Sequence, residues 1–490
     1  MPEHGTPADQ HYGRIWETGK GGLALGDPGP DAVKALIGAL TNKDETSADN
    51  DAITAGYTYL GQFIDHDLTF LKEATGPGAD PSKLNNRRTP RFDLDSTYGI
   101  DGNHTKKPGR YDPQGRLLLG VKPGSPDPTH DLPPLPDLPR DGKLANIPDR
   151  RNDENQITAQ IHILWAQFHN LLIDKFAESG LAGDALFDAA QREVIWHYQW
   201  IVYNDFLNRI LGKALADEVR TTQKLKLPAD KTIPVEFSAA AYRFGHSMVR
   251  TDYRMQSPNS TRFPVFDNKD TTHDLRGNRP ISADRHIYWT TFFSPRSGDL
   301  TQKSMQIDHK ISAELMDVPG KGALPELNIK RGLSLGLPSG GEVAKAMSEV
   351  ALTQDELFAD VVGFEKDAKG AYSPEADAIF AATPLWFYIL REAAVLPGAL
   401  APGETRGERD EAQSTRLGRV GGRIVGETIV QLLRRDDDSF LNAATPWRPS
   451  LWVQTNGEWN MFIHQAYVFH KGNYDEFWDY EHKPPDPKEK

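Results

Sequence analysis

Residues 155–176 carry the pattern that most narrows the choice of fold. They read NQITAQIHILWAQFHNLLIDKF, with large apolar side chains at Ile157, Ile161, Leu164, Trp165, Phe168, Leu172 and Phe176. Steps of three and four residues place these side chains on one face of an α-helix, which we expect to end near Gly180. A second such pattern follows Asp184 and runs towards Leu211. Two long helices joined by a few residues pack against each other, so the sequence predicts a mainly α protein.

The rest of the chain alternates shorter helical patterns with irregular connections. Helical periodicity recurs at residues 53–70, 237–249, 341–347, 356–365, 385–394 and 420–435, whereas residues 287–293 are one of few strand candidates. The chain has 42 glycines and 35 prolines, and residues 121–150 contain eight of the prolines. Proline is excluded from helix and sheet interiors, so we expect long irregular loops and few short strands.

Composition excludes several classes of protein. The chain contains no cysteine, and 56 Lys and Arg against 69 Asp and Glu give a net charge of −13. Without thiols, any metal must be held by histidines, carboxylates and carbonyls, and the acidic balance argues against nucleic acid as a partner. No stretch approaches the roughly 18 apolar residues of a membrane span, and the N-terminus lacks signal-peptide features. We expect a soluble protein, cytoplasmic or exported without a readable signal.

The segment GQFIDHDLTF, residues 61–70, places His66 between Asp65 and Asp67 at the end of an apolar helical run. Buried charged groups need partners, but a capped helix end with solvated charges explains the same residues. A hydrolase with histidine and aspartate metal ligands is a further alternative, and it requires additional spaced ligands that the sequence does not supply.

The segment TPRFDLDSTYG, residues 89–99, offers oxygen atoms at Thr89, Asp93 and Asp95. Alternating carboxylates in a loop suit a hard cation such as Ca²⁺, which takes six to eight oxygen ligands. A turn with solvated acidic side chains is the alternative interpretation.

Arg151 and Glu154 directly precede the long helix. Asn152 or Asp153 is a candidate N-cap, and Glu154 complements the helix dipole. Capping does not explain two consecutive arginines, Arg150 and Arg151, at the end of a helix where cations are disfavoured.

Two further segments each carry a pair of residues three positions apart. In SAAAYRFGHSMVR, Arg243 precedes His246, and Gly245 allows a bulky group to approach the backbone. Asn328 and Arg331 have the same spacing in residues 325–341. A lone histidine on an apolar face is otherwise an ordinary hydrogen-bonded core residue.

Taken in this order, the five segments resemble the animal-type haem peroxidases of the peroxidase–cyclooxygenase superfamily, in particular its bacterial members. The likeness runs from about Tyr57 to Leu441. It implies a single large helical domain of the haem-peroxidase type at residues 51–445. We expect residues 1–50 to form an N-terminal extension that wraps this domain, and residues 446–490 a C-terminal extension packed on it.

The resemblance also implies roles for individual residues. Gln62 and His66 correspond to the distal pair, Arg151 to the distal arginine, His246 to the proximal iron ligand and Asn328 to its hydrogen-bond partner. Arg243 and Arg331 match the arginines that hold the haem propionates, and Asp65 and Glu154 stand where mammalian members esterify the haem. Asp67, Thr89, Asp93, Asp95 and the carbonyl of Arg91 match a calcium site, although many relatives have serine at the position of Asp95. Asn155 replaces the methionine that myeloperoxidase links to its haem, so no sulfonium link is expected.

The implied cofactors are haem b and Ca²⁺, and the implied activity is reduction of hydrogen peroxide. His66 and Arg151 would assist heterolytic O–O cleavage to a ferryl intermediate, which then oxidises a small organic or (pseudo)halide donor, as in a response to oxidative stress. One alternative is a fatty-acid dioxygenase, which uses a tyrosyl radical three residues before the proximal histidine. That position is Arg243 here, and Tyr242 lies four before. A catalytically silent, calcium-stabilised binding protein is the alternative from another class. The donor, covalent haem attachment and oligomeric state stay open.

Overall fold

The computed structural model describes residues 11–42, 47–71, 78–100, 109–121, 136–228, 232–256, 259–293, 301–395, 414–449, 460–461, 464 and 468. Among them the helices are α1 Pro30–Leu40, α2 Ala55–Leu68, α3 Asp95–Tyr98, α4 Gln156–Glu178, α5 Gly183–Ile201, α6 Leu207–Leu211, α7 Lys213–Thr221, α8 Val235–Ala239, α9 Leu324–Ser334, α10 Gly340–Ala346, α11 Gln354–Phe358, α12 Pro374–Ala381, α13 Leu385–Val395 and α14 Arg419–Arg435. A π-helical turn, Val202–Phe206, joins α5 to α6. The predicted mainly α fold with few short strands is confirmed.

The strands form short two-stranded pairs. The pairs are β1 His11–Gly13 with β7 Thr232–Pro234 (parallel), and, antiparallel, β2 Asp49–Thr54 with β10 Lys303–Met305, β3 Gly120–Val121 with β4 Pro136–Asp137, β5 Arg140–Asp141 with β6 Leu144–Ala145, and β8 Asp252–Arg254 with β9 Arg262–Pro264. Because two strands cannot bury a sheet face alone, these pairs pin loops to the helical core.

Helix α4 lies at the centre of the core, as its apolar face predicts. Its stripe from Ile157 to Leu172 is buried, and α4 packs against α5 and α2. Asn155 begins the helix, because its side chain accepts hydrogen bonds from the backbone amides of Ile157 and Thr158. The start of α4 is thereby held beside α2, the helix that carries His66.

Three local predictions are wrong. Residues 237–249 are not one α-helix, because α8 ends at Ala239 and a 3-10 helix, Ala241–His246, follows. The helix expected at 356–365 ends at Phe358, before Asp360 at φ 52°. The strand expected at 287–293 is the 3-10 helix Trp289–Thr291.

The failed strand shows why tertiary packing can override residue preference. Trp289, Phe292 and Phe293 are all buried, so the side chains do not alternate between two faces. Phe293 fills the space above Gly56, where an added Cβ atom would lie 2.4 Å from the ring. The amide of Gly56 donates to the carbonyl of Phe292 at 3.0 Å, so this segment packs onto the start of α2.

The described residues contain no single helix long and apolar enough to cross a bilayer; the bent pair Pro374–Ala381 and Leu385–Val395, which turns by 94°, passes that test only when taken together. Residues 122–135 of the proline-rich segment and most of the C-terminal extension at 446–490 lie outside the described residues. The proposed boundaries of the two extensions stay predictions.

Candidate haem site

One cavity of about 580 Å³ brings together candidate site residues from four of the five sequence segments described above. Its polar lining includes Gln62, Asp65, His66, Arg151, Glu154, Asn155, Arg243, His246, Asn328 and Arg331. Its apolar lining includes Val235, Phe244, Val265, Phe266, Leu315 and Leu335. The volume is in the range of cofactor and small-molecule sites, and the polar groups converge on it from separate segments of the chain.

His66, near the end of α2, is buried and held in one tautomer. Its Nδ1 lies 2.9 Å from Oδ1 of Asn152, and because a carbonyl oxygen only accepts, Nδ1 must donate. Burial lowers the pKa of His66 below its ordinary value, and the nearby Arg151 guanidinium adds to this effect. The neutral ring therefore keeps a free lone pair on Nε2.

Arg151 is fixed on three sides. Its Nε and Nη2 donate to the Asp149 carboxylate, at 3.1 and 2.6 Å, and Nη2 also donates to the carbonyl of His66 at 2.9 Å. Its guanidinium stacks on the ring of Phe70 at 4.3 Å. A bidentate ion pair with a buried carboxylate leaves little rotational freedom, so the charge of Arg151 is held next to His66.

Gln62, Asp65 and Glu154 each have a partner that limits their motion. Oε1 of Gln62 accepts from Asn155 Nδ2 at 3.0 Å and from Thr158 Oγ1 at 3.1 Å. Asp65 accepts from the hydroxyl of Thr69 at 2.9 Å. Glu154 pairs with Lys321, another residue that lines the cavity, at 3.2 Å.

His246 is the last residue of the 3-10 helix Ala241–His246. In this geometry residues three apart eclipse each other, so Arg243 and His246 share a face even though the predicted α-helix is absent. The carboxamide of Asn328 on α9 contacts Nδ1 of His246 at 2.8 Å. Burial, with a contribution from Arg243, lowers the pKa of His246 to about 3, which keeps its imidazole neutral.

Arg243 and Arg331 lie in the same cavity without an acidic partner among the described residues. The Arg243 guanidinium, together with burial, lowers the pKa of Arg331 to about 10. Nε of Arg243 is buried with no hydrogen-bond partner within the described part of the chain. Two confined cations that repel each other favour a ligand with two negative charges. The two propionates of haem meet this requirement, and the apolar lining suits the rest of a porphyrin.

The predicted calcium ligands do not line this cavity. Asp67 lies on α2, and the other ligands come from residues 89–95. One oxygen from each of Asp67, Asp93 and Asp95 lies within 4.8 Å of the others, and Thr89 Oγ1 donates to Asp93 at 2.8 Å. Burial, then repulsion from the other two carboxylates, raises the pKa of Asp67 well above its ordinary value. Burial raises the pKa of Asp93 to about 6 and that of Asp95 to about 7.

One carboxylate of the predicted calcium set has a competing partner, whereas the predicted ligand from Arg91 is its carbonyl and not its side chain. Arg88 Nη1 lies 3.2 Å from Asp95, so this carboxylate is already partly neutralised. The side chain of Arg91 pairs with Asp436 at 3.0 Å. The close approach of three acids, of which Asp67 and Asp95 are buried and Asp93 is partly buried, still favours a cation among them.

Sequence reasoning missed Asp149, Asn152 and Phe70, the residues that hold His66 and Arg151 in place. Asn152 and Asp153 were expected to cap α4, but Asn155 does so. Asp149 instead caps a short 3-10 helix, Arg150–Asp153, by accepting from the amide of Arg151. The signal was present in the carboxylate two residues before Arg151, but its contact with the guanidinium depends on that local turn.

A family model described as animal haem peroxidase matches residues 74–362, more than half of the chain. The chain belongs to the animal haem peroxidase family. The matched span contains Arg151, His246 and Asn328, and it begins after His66.

Relatives in this family are distant and much longer. A peroxidase-like protein of Margaritifera margaritifera is 26% identical over 362 residues, which cover 60% of this chain and 45% of that protein. Chorion peroxidase of Drosophila melanogaster is 28% identical over 217 residues, covering 42% and 26% of the two chains. Human thyroid peroxidase is 29% identical over 188 residues, covering 35% and 20%. The chain therefore spans less than half the length of each of these relatives, and the predicted likeness to bacterial members stays a prediction.

Solved structures share the fold of this chain over nearly its whole length. Peroxidase A from Dictyostelium discoideum superposes with a TM-score of 0.57 and 16% identity, covering 94% of this chain and 89% of that one. A fatty acid alpha-dioxygenase from Arabidopsis thaliana gives a TM-score of 0.53 and 14% identity, covering 98% and 82%. At these identities the likeness is one of fold.

Proposed function

We propose that this protein is a haem-dependent peroxidase that reduces hydrogen peroxide and oxidises a small organic or (pseudo)halide donor. One observation carries the proposal: a single cavity is lined by His66 and Arg151, by His246 with Asn328, and by two arginines that lack an acidic partner among the described residues. Family membership supports the choice of haem as the cofactor.

His246 is the proposed iron ligand. In the structure Nδ2 of Asn328 lies 2.8 Å from Nδ1 of His246. We propose that the carboxamide is rotated by 180° when iron is bound, so that Oδ1 accepts from Nδ1 and leaves Nε2 free to coordinate. Arg243 and Arg331 would pair with the propionates, which would relieve the repulsion between the two guanidinium groups. When bound, haem supplies the redox chemistry, giving two electrons to peroxide and recovering them from the donor.

His66 and Arg151 manage the protons and charge of peroxide reduction. Nε2 of His66 takes the proton from one peroxide oxygen and delivers it to the other, which leaves as water. Arg151 stabilises the negative charge that develops as the O–O bond breaks. Because both side chains are held by fixed partners, Asn152 and Asp149, little reorganisation is needed.

Asp67, Asp93 and Asp95, with Thr89 and the carbonyl of Arg91, are the proposed calcium site. The support is the grouping of three acids, of which Asp67 and Asp95 are buried and Asp93 is partly buried; burial raises the pKa of all three. Since Asp67 follows His66 on α2, bound Ca²⁺ would hold the helix end that positions His66.

Esterification of haem by Asp65 and Glu154 is a second part of the proposal. Both side chains line the cavity, although Glu154 is paired with Lys321. After exposure to peroxide, acidified organic solvent should fail to extract the haem. Complete extraction would show that no bond forms.

The proposal is tested by the visible spectrum of protein purified from haem-supplemented cells. We expect a Soret band that is lost in His246→Ala, and peroxide-dependent oxidation of a donor panel that falls by orders of magnitude in His66→Ala. His66→Ala should keep its haem, because His66 is not the proposed ligand. Absence of a Soret band in the wild-type protein would overturn the proposal and favour the catalytically silent binding protein.

One observation keeps the fatty-acid dioxygenase as a second candidate. Tyr242 lines the cavity despite its position four residues before His246, and its buried hydroxyl has no hydrogen-bond partner in the described part of the chain. Oxygen consumption with a long-chain fatty acid as the only added substrate, lost in Tyr242→Phe, would establish that activity. We expect no such consumption, since Arg243 occupies the position of the radical tyrosine.

A further inference from the structure

A second cavity, of about 610 Å³, adjoins the proposed haem site. Phe70 and Arg151 line both cavities, so their side chains form the partition between them. The other walls come from residues 141–150 and from Arg110. This second cavity is therefore separated from the haem cavity by a single layer of side chains.

The partition is rigid. The Arg151 guanidinium stacks on Phe70 at 4.3 Å, and its own ion pair with Asp149 is 2.6 Å long. Asp149 is buried and also pairs with Arg88 at 3.0 Å. A molecule bound in the second cavity would rest on this fixed wall, which limits both its distance from the haem cavity and its orientation.

The second cavity is lined by three arginines, Arg110, Arg150 and Arg151, and by two aspartates. Arg150 is exposed and makes no ion pair among the described residues, and Arg110 adds a second positive charge nearby. The two acids that line it are Asp141 and Asp149. Asp149 already forms ion pairs with Arg88 and Arg151. This local excess of positive charge stands out in a protein with a net charge of −13.

The same cavity has an apolar wall. Phe70, Ile147 and Leu144 line it, and Leu144 is 47% exposed. A large aliphatic side chain beside an unpaired arginine suits a ligand with an apolar ring and an acidic group.

Building on the proposed peroxidase function, we propose that this second cavity binds the reducing substrate, and that the substrate is a phenol carrying a carboxylate. Arg150 pairs with the carboxylate, and the ring lies on the wall formed by Phe70, Leu144 and Ile147. Each phenol loses one electron and the proton of its O–H bond. Two phenols and one hydrogen peroxide give two phenoxyl radicals and two waters, so atoms and electrons balance.

The test compares two donors that share a ring, 4-hydroxyphenylacetate and the neutral 4-methylphenol. Titration calorimetry on the holoprotein measures Kd, and peroxide-dependent oxidation measures kcat/KM. Arg150→Gln should weaken binding of 4-hydroxyphenylacetate about fivefold, the effect of losing one partly exposed ion pair. The kcat/KM of this variant for 4-hydroxyphenylacetate should fall about fivefold more than its kcat/KM for 4-methylphenol.

Two further variants locate the effect. Arg192→Gln removes the same charge from an exposed position on α5 outside this cavity, and should change neither constant. Leu144→Trp should fill the cavity and weaken binding of both donors. Equal responses of the two donors to Arg150→Gln, or normal binding in Leu144→Trp, would overturn the inference.

Failure of this inference is distinguishable from failure of the proposed function. Peroxide turnover without preference for the anionic donor overturns the donor site and leaves the peroxidase function intact. Binding of 4-hydroxyphenylacetate that depends on Arg150, without turnover of either donor, overturns the peroxidase function, while calorimetry still supports an anion site in this cavity.

Discussion

At the scale of single residues, Asn152 determines what two histidines can do. Its Oδ1 accepts from His66, and its Nδ2 donates to Nδ1 of His162 at 3.2 Å. Burial lowers the pKa of His162 to about 4, so that ring is a neutral acceptor. The Asn152 carboxamide thus orients His66 through a chain of hydrogen bonds. Of the residues in this chain, only His66 lines the cavity.

We expect Asn152→Ala to slow the reaction with peroxide by at least tenfold while haem is retained, because His66 loses the acceptor that fixes its tautomer. Stopped-flow absorbance measures the bimolecular rate. The double variant Asn152→Ala/His66→Ala should react no more slowly than His66→Ala, since Asn152 acts through His66. Additive losses would show that Asn152 has a separate role.

Asp149 makes a pH-dependent contribution to stability. Burial alone would raise its pKa, but the guanidinium groups of Arg151 and Arg88 overcome that effect and lower the pKa from 3.8 to about 2. A lowered pKa means that the folded state prefers the ionised form. The contribution, roughly 2 kcal/mol at about 1.4 kcal/mol per pKa unit, is complete above pH 4 and is lost as the pH falls through 2.

Asp149→Asn should therefore lower the free energy of unfolding by about 3 kcal/mol at pH 7, because it removes the buried carboxylate that Arg88 and Arg151 share and leaves Arg151 without an acidic partner among the described residues. The difference from wild type should shrink between pH 4 and pH 2. Urea titrations followed by circular dichroism at several pH values measure both effects. Asp188→Asn, on an exposed face of α5, should stay within about 0.5 kcal/mol of wild type, and an equal loss in both variants would contradict this account.

At the scale of elements, α14 shows how small residues let buried helices approach closely. Three glycines on α14 face neighbouring helices, and an added Cβ atom on any of them would meet a side chain. The distances are 2.6 Å from Gly421 to Ile389 on α13, 2.6 Å from Gly422 to Leu215 on α7, and 2.7 Å from Gly426 to Leu211 on α6. Helical periodicity predicted α14 itself, but not which of its faces must lack side chains.

Gly426→Ala should destabilise the protein by about 1–2 kcal/mol, although alanine is the better helix former by about 1 kcal/mol. Overpacking against Leu211 and Val219 outweighs the gain. Gly38→Ala in α1 is the matched control, because its added Cβ atom meets nothing within 4 Å, and it should stabilise by about 0.5–1 kcal/mol. Thermal unfolding measures both, and a stabilising Gly426→Ala would contradict the packing argument.

At the scale of the whole molecule, the acidic cluster connects a distant loop to the proposed haem site. Leu94 adopts φ 55°, a left-handed conformation that is rare for leucine, and its amide donates to Asp67 at 3.2 Å. The loop at residues 89–95 is thus bent around the end of α2, the helix that carries His66. Neutralising the cluster with a cation should tighten both the loop and the helix end.

Because the proposed calcium site would be emptied, treatment with a chelator should lower the melting temperature by a few degrees and slow the reaction with peroxide. Saturating Ca²⁺, at one hundred times its Kd, would restore about 2.7 kcal/mol of stability. Asp93→Ala should lower haem retention and melting temperature and abolish the response to chelator, whereas Asp188→Ala should keep that response. Metal analysis that finds no bound calcium, with an unchanged melting temperature, would refute the site.

The sequence by itself determined the elements whose periodicity is long. Helices α2, α4, α13 and α14 lie close to their predicted bounds, because a repeated apolar face can be buried in only one way. The same sequence singled out His66, Arg151, His246 and Asn328 by residue type and by order along the chain, and the structure brings all four to one cavity.

Only the tertiary structure decided which residues hold those four side chains and where the chain departs from regular helix. The pairing of Asp149 with Arg88 and the stacking of Arg151 on Phe70 join residues distant in sequence. The 3-10 turn that ends at His246 is local, but it replaces the α-helix that the periodicity predicted. Local patterns report the preference of a segment for one conformation. The partner of a buried charge is set by packing between segments, which no window along the chain contains.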